Sequence, residues 1–117
     1  MTSLSNILTG IVAFLHIGFL VLEMFLWDHP YGRKTFRMTP EYSKASATLA
    51  ANQGLYNGFL AAGLIWGLIS GNASVQIFFL ICVVVAGVYG GFTAKRSILY
   101  MQALPGLLAL LAVYLTR

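Results

Sequence analysis

Apolar residues are grouped along this chain in four long stretches, each separated from the next by a short polar or turn-forming segment. The stretches cover about residues 4–27, 45–69, 75–92 and 98–115. A helix needs roughly 20 predominantly apolar residues to cross the hydrocarbon of a bilayer, and each stretch approaches or exceeds that length. The pattern predicts an all-α, polytopic membrane protein. Its four transmembrane helices would form an antiparallel up-down bundle, with residues 1–117 as a single membrane domain.

The composition indicates that the bilayer is the solvent of this chain. Of its 117 residues, 59% are hydrophobic and 9% are charged, whereas charged residues make up about a quarter of a soluble domain. A soluble fold of this size has too little interior to hide so much apolar surface. The single cysteine, Cys82, excludes an intrachain disulfide and a cysteine-based metal site.

The basic residues predict how the chain is oriented. The connections at 28–44 and 93–97 carry six of the seven Lys and Arg residues, and such connections face the cytoplasm. Both termini are therefore expected on the outer (periplasmic or extracellular) side of the cell inner (plasma) membrane. The basic side chains flank apolar stretches instead of forming a stripe, which disfavours nucleic acid as a partner. The expected contacts for anionic lipid headgroups are Arg33, Lys34, Arg37, Lys95 and Arg96.

The run Asn52–Gly58 is the main exception to the apolar pattern. It places three carboxamides and a tyrosine inside a predicted span. Hydrocarbon offers such groups no hydrogen bonds, so they need protein partners or a wet cavity. The best partners are His16 and Glu23 on the first span. They are seven residues apart and therefore project from nearly the same face of a helix.

These polar groups are expected at similar depths in the membrane. Counting about 1.5 Å per helical residue from the basic connections puts polar side chains of all four spans in the cytoplasmic half. We therefore predict a polar pocket, open to the cytoplasm, that binds a small or lipophilic molecule. Its expected binding residues are Asn52, Gln53, Tyr56, Asn57, Tyr89 and Gln102. The other half, where Gln76 is the strongly polar residue, is expected to be dry and close-packed.

Glu23 and His16 are the candidate catalytic residues, and their expected role is proton handling. A carboxyl group inside a membrane usually marks a functional site, and histidine carries protons near neutral pH. The alternatives are a Glu23 that stays solvated or pairs with Arg33 or Lys95, and a His16 bonded to Asn57 or a backbone carbonyl. No metal is expected, because the spacing differs from the i, i+4 ligand pair of a helix. No cofactor is expected either, because no phosphate-binding glycine loop or cysteine redox pair is recognisable.

Small residues recur at intervals of four in two of the predicted spans. Such stripes let neighbouring helices approach closely, within one chain or between protomers. The residues expected to pack in this way are Gly54, Gly58, Ala62, Gly87 and Gly91, with Gly63 and Gly67 as a further pair.

Two prolines mark changes in helix geometry. Thr39-Pro40-Glu41 is typical of a helix start, with Thr39 as the N-cap. The segment that follows could continue into the second span or form a separate interfacial helix. Pro105 lies within the fourth predicted span, where it frees a carbonyl near Met101 and is expected to disturb the helix.

Three runs together resemble a family of small bacterial integral membrane proteins. They are His16–Trp27 (HIGFLVLEMFLW), Asn52–Ala62 (NQGLYNGFLAA) and Ala86–Gly90 (AGVYG). The family is catalogued as a domain of unknown function, number 1304, and the resemblance covers essentially the whole chain. It implies a four-helix membrane protein and carries no established activity. The His/Glu pair in four helices is also similar to emopamil-binding-type isomerases of lipophilic substrates, at the level of fold analogy.

Three functions remain open at this point. The first is ligand binding at the polar pocket, with non-redox isomerisation or hydration as the chemistry if the protein is an enzyme. The second is an oligomeric transporter or channel subunit, in which the same groups line a path. The third is a structural or interaction role, in which the carboxamides only hold helices in register.

Overall fold

The chain is all-α, as predicted. The computed structural model describes residues 2–117, with side chains from Leu4 onward. The described chain contains five α-helices: α1 (Thr2–Met24), α2 (Pro30–Phe36), α3 (Pro40–Ser70), α4 (Ala73–Thr93) and α5 (Leu104–Thr116). A π-helical turn, Leu99–Ala103, leads directly into α5.

Three helical segments are long and apolar enough to cross a membrane. They are Leu4–Met24, Ala73–Thr93 and Leu99–Thr116, and they correspond to the first, third and fourth predicted spans. The second predicted span lies within α3, which has 31 residues. α3 is long enough but too polar to belong to these three segments, since the middle of the helix contains the three carboxamides of Asn52–Gly58.

The chain divides into two compact units, and α1 and α3 contribute to both. The first unit contains the chain up to Leu15 and from Leu60 onward, and the second contains His16–Phe59. The first unit has an apolar core drawn from α1, α3, α4 and α5. The buried residues of this core are Val12, Ala13, Leu64, Leu80, Val83, Ala109 and Val113.

Glycines bring helices of the first unit close together. A Cβ atom at Gly87 would lie 2.6 Å from the backbone nitrogen of Ala103 and 2.8 Å from its Cα. Gly91 packs in the same way against the Leu99 side chain, and Gly63 packs against the ring of Phe79. The close approach of α4 to the π-helical turn therefore depends on the missing side chain at Gly87.

The π-helical turn accommodates Pro105. Proline has no backbone N–H to bond the carbonyl of Met101, four residues earlier. In the structure the N–H of Leu104 instead bonds the carbonyl of Leu99, five residues earlier, which is the π pattern. The helical path thus continues through the proline with a local change of hydrogen bonding.

In the second unit, α3 begins where the sequence predicts a helix start. Thr39 Oγ1 accepts a hydrogen bond from the Tyr42 N–H over 3.1 Å, so the predicted N-cap is confirmed. From Pro40 the helix runs without interruption to Ser70. The segment after Thr39 is therefore the first part of α3 and does not form a separate helix.

The end of α2 is a Schellman motif with an unusual residue. The Met38 N–H bonds the Arg33 carbonyl over 2.9 Å, and the Arg37 N–H bonds the Lys34 carbonyl over 3.4 Å. Arg37 itself adopts the left-handed conformation, with φ of 53°. Glycine is the usual residue at this position, so the turn is built at some conformational cost.

Candidate functional site

Glu23 and Asn57 meet where the end of α1 lies beside the middle of α3, within the second unit. Asn57 Nδ2 donates a hydrogen bond to Glu23 Oε1 over 2.5 Å. Asn57 is 7% exposed and Glu23 is half-buried. Within the part of the chain that the structure describes, Glu23 Oε2 has no hydrogen-bond partner, and it is not sealed from its surroundings. The carboxyl group therefore has one oxygen held by Asn57 and one without a hydrogen bond from the described residues.

Two glycines of α3 lie at this contact. A Cβ atom at Gly54 would lie 3.1 Å from Glu23 Cβ and 3.2 Å from the Leu20 carbonyl oxygen. A Cβ atom at Gly58 would lie 2.7 Å from Leu20 Cδ1. Gly54, Asn57 and Gly58 share one face of α3 because residues three and four apart are neighbours on a helix. The short Asn57 side chain can thus reach Glu23 because Gly54 lets the two helices approach closely.

The other polar residues of the run lie away from this contact. Asn52 and Gln53 are exposed, and Tyr56 is 57% exposed. The Tyr56 ring packs edge-on against Phe59, with centroids 5.5 Å apart. Of the four predicted binding residues in this run, the structure brings Asn57 to Glu23 and leaves three on the surface of α3.

His16 is fully buried, with 0% exposure. Its ring packs edge-to-face against Phe19, with centroids 5.1 Å apart. A ligand that reaches the half-buried Glu23 has no access to His16 in this conformation. Among the described residues there is no group of three or more His, Cys, Asp or Glu side chains placed to hold a metal ion.

The remaining predicted residues belong to the first unit or to the surface. Tyr89 is 72% exposed, and Gln102 is half-buried in the π-helical turn. Ala62 is exposed, although it continues the stripe of Gly54 and Gly58. A stripe at intervals of four advances by about 40° around a helix at each step, so its third member has left the packed face.

A polar cluster that the sequence pattern did not predict orders the connection between α1 and α3. Ser43 Oγ donates to Asp28 Oδ1 over 2.6 Å, and Arg33 Nη2 lies 3.0 Å from the same oxygen. Arg33 Nε donates to Ser43 Oγ over 3.0 Å. Nearby, Trp27 Nε1 donates to Ser46 Oγ over 2.9 Å. These residues carry no spacing signal, because they come from three segments whose mutual approach is a tertiary feature.

The cluster changes the acidity of Asp28 and the role of Arg33. The hydrogen bond from Ser43, followed by that from Arg33, holds the pKa of Asp28 below its ordinary value of 3.8. Both bonds favour the charged carboxylate. Arg33 is thus an internal partner of the connection, whereas Lys34 and Arg37 are exposed.

A small cavity lies beside Gln76. The cavity has a volume of about 260 Å³ and lies in the first unit beside the turn from α3 to α4. Gln76, which is 5% exposed, is one of its lining residues, together with Ser5. Gln76 Nε2 donates to the Gly67 carbonyl over 3.0 Å. The buried carboxamide of Gln76 is therefore satisfied by a backbone acceptor.

Comparison with known proteins places the chain in a family. Residues 10–114 match the family model described as "Protein of unknown function (DUF1304)". The chain is similar to the uncharacterized protein YpaA of Lactococcus lactis subsp. lactis, with 31% identity over 118 residues, covering 97% of this chain and 99% of that protein. No solved structure matches the chain. The family match spans nearly the whole sequence, and the chain therefore belongs to the DUF1304 family of proteins of unknown function.

Proposed function

We propose that this protein is a multi-pass protein of the bacterial inner membrane that binds a small or lipophilic molecule at Glu23. The observation that supports this function is the hydrogen bond from Asn57 to Glu23 Oε1, which leaves Oε2 open. An acidic side chain within a membrane helix is costly unless it has a partner or a task. Here Asn57 bonds one oxygen of the carboxyl group, and the ligand would bond the other.

The proposed membrane arrangement uses α3 as a fourth span beside the three apolar segments. The six basic residues of the two connections favour a cytoplasmic location for both connections and an outer location for both termini. Exposed basic side chains next to the spans suit contact with anionic headgroups. The side chains proposed for this contact are Lys34, Arg37, Lys95 and Arg96.

The chemistry that suits this site is hydrogen bonding and proton transfer. A carboxylate at Glu23 would accept a hydrogen bond from a hydroxyl or amino group of the ligand, and a neutral carboxyl group would donate one. Asn57 would hold the carboxyl group in one orientation in either state. If the ligand is transformed, Glu23 is the residue that would move a proton in an isomerisation or hydration.

Native mass spectrometry of the protein extracted from bacterial membranes tests this function. We expect the wild-type protein to retain a bound small molecule and Glu23→Gln to lose it. The amide of the variant still offers Asn57 an oxygen acceptor, so helix packing is preserved while the carboxyl group is removed. Glu41→Gln, at an exposed acidic residue in the first turn of α3, is the matched control. Equal retention by all three proteins would exclude Glu23 as the binding residue.

A further inference from the structure

One face of α3 presents a continuous stripe of exposed side chains, in which one carboxamide lies between an aliphatic side chain and two aromatic ones. It consists of Leu49, Asn52, Tyr56 and Phe59, at spacings of three and four, and we call it the Asn52 face. Leu49 is 76%, Tyr56 57% and Phe59 53% exposed, and Asn52 is exposed as well. Gln53 extends the face along one edge. The face lies opposite the side of α3 that carries Gly54 and Asn57.

The position of the Asn52 face along α3 makes its exposure costly in a bilayer. Ser70 ends the helix, and at 1.5 Å per residue Asn52 lies about 27 Å and Tyr56 about 21 Å from it. Both distances fall within a hydrocarbon layer roughly 30 Å thick. A carboxamide that faces lipid tails there has no hydrogen-bond partner, which is unfavourable. Asn57 has its partner in Glu23, but Asn52 and Gln53 have none from the described chain.

We infer that the Asn52 face pairs with the same face of a second copy of this chain. A carboxamide carries both donors and an acceptor, so a second Asn52 or Gln53 supplies what the first one lacks. Copies inserted in the same direction are related by a two-fold axis along the membrane normal, and such an interface is isologous. Each residue of the face then lies near its own counterpart, as a polar residue does in a parallel helix pair.

A second copy explains the Asn52 face better than lipid does. Lipid tails offer no donors or acceptors, whereas the facing carboxamide of a second copy offers both. The aromatic pair of Tyr56 and Phe59, with rings 5.5 Å apart, gives the same interface a large apolar contact. The inference goes beyond ligand binding at Glu23 and rests on the proposed placement of α3 across the membrane.

Cysteine cross-linking in membranes tests the pairing. In a Cys82→Ser background, Leu49→Cys and Tyr56→Cys place thiols one turn on either side of Asn52 and leave both carboxamides intact. We expect each variant to form a disulfide-linked dimer on mild oxidation. Val85→Cys on α4, 62% exposed, is the matched control and should remain monomeric. Monomers from all three variants, or equal cross-linking of Val85→Cys, would overturn the inference.

The contribution of the carboxamides is measured by replacing them together. Interhelical polar pairs in membranes contribute modestly, so we expect Asn52→Leu/Gln53→Leu to weaken self-association about tenfold in a fluorescence-transfer titration in lipid vesicles. Unchanged association would show that these side chains do not hold an interface. Glu23→Gln should lose the bound molecule and still associate, whereas the double variant should keep the molecule. These outcomes separate a failure of dimerisation from a failure of ligand binding.

A separate experiment tests whether α3 crosses the membrane. Lys44→Cys and Ile69→Cys, also in the Cys82→Ser background, should react with a membrane-impermeant thiol reagent from opposite sides of the membrane. Reaction of both from one side would mean that α3 does not cross, and the inference would fall with it.

Discussion

Gly54→Ala is the substitution that most sharply tests the close approach of α1 and α3. The added Cβ would lie 2.7 Å from Met24 Cγ, 3.1 Å from Glu23 Cβ and 3.2 Å from the Leu20 carbonyl oxygen. The Met24 side chain can rotate away, but a Cβ atom and a backbone oxygen move only with their helix. The substitution therefore forces α1 and α3 apart, and Glu23 moves away from Asn57.

Gly58→Ala is the matched control, since its added Cβ meets a different kind of atom. That Cβ would lie 2.7 Å from Leu20 Cδ1, with Leu20 Cγ 4.0 Å away, and a terminal methyl group can change rotamer. Both substitutions gain roughly 1 kcal/mol of intrinsic helix propensity, and this gain cancels when the two variants are compared. Overpacking that a core cannot relax costs about 1–3 kcal/mol. Gly54→Ala should therefore be less stable than Gly58→Ala by about that amount.

The assay is reversible unfolding in mixed detergent micelles, followed by circular dichroism as the fraction of denaturing detergent rises. We expect Gly58→Ala to unfold at or slightly above the wild-type midpoint and Gly54→Ala to unfold below it. Gly54→Ala should also retain less of the bound molecule, because the Glu23–Asn57 hydrogen bond is stretched. Equal midpoints for the two alanine variants would refute the packing on which the candidate site depends.

Three further predictions concern other parts of the chain. Arg37→Gly should raise the unfolding midpoint, because a non-glycine residue in the left-handed conformation costs about 1 kcal/mol or more. A lower midpoint would show that the arginine side chain stabilises the fold. Because the pKa of Asp28 is lowered in the folded protein, its hydrogen bonds stabilise the fold above pH 3.8, and this stabilisation is lost as the pH falls below that value. Ser43→Ala removes one of these bonds and should therefore make the unfolding midpoint depend less on acidic pH. The measurement is the unfolding midpoint as a function of pH. Gly87→Ala should destabilise the first unit by about 1–3 kcal/mol in the same micelle assay, because its Cβ would meet backbone atoms of Ala103; a midpoint equal to that of the wild type would contradict this packing.

The sequence predicted the helices well because their signals are local. Apolar length and the Thr39 cap are both properties of neighbouring residues, and the three apolar segments and the start of α3 follow them. A helix was also expected at the second predicted span. The carboxamides of Asn52–Gly58, however, make α3 more polar than the three segments that could cross a membrane by length and composition. Its count as a fourth span therefore remains a prediction.

The candidate site was less predictable because it depends on how far α3 is rotated about its own axis. Sequence spacing predicts that Asn52 and Gln53 lie at the depth of Glu23 and that Asn57 lies nearer to His16, whereas in the structure it is Asn57 that contacts Glu23. Sequence spacing does not say which of them faces α1. That choice is made mainly by Gly54, whose missing side chain lets α1 pack against this face of α3 and leaves Asn57 facing inward. The cluster of Asp28 with Ser43 had no sequence signal, since it joins residues brought together only by the path of the connection.

The proposed function requires that a small lipophilic molecule can reach the carboxyl group of Glu23 from within the membrane. Labelling with dicyclohexylcarbodiimide, a lipophilic reagent for carboxyl groups, tests this claim in intact membranes, with the modified residue located by peptide mass spectrometry. We predict that Glu23 is labelled, that Glu23→Gln abolishes this label, and that Asn57→Leu, which frees the second oxygen, increases it. A protein whose Glu23 stays unlabelled while Asp28 or Glu41 reacts would contradict the claim.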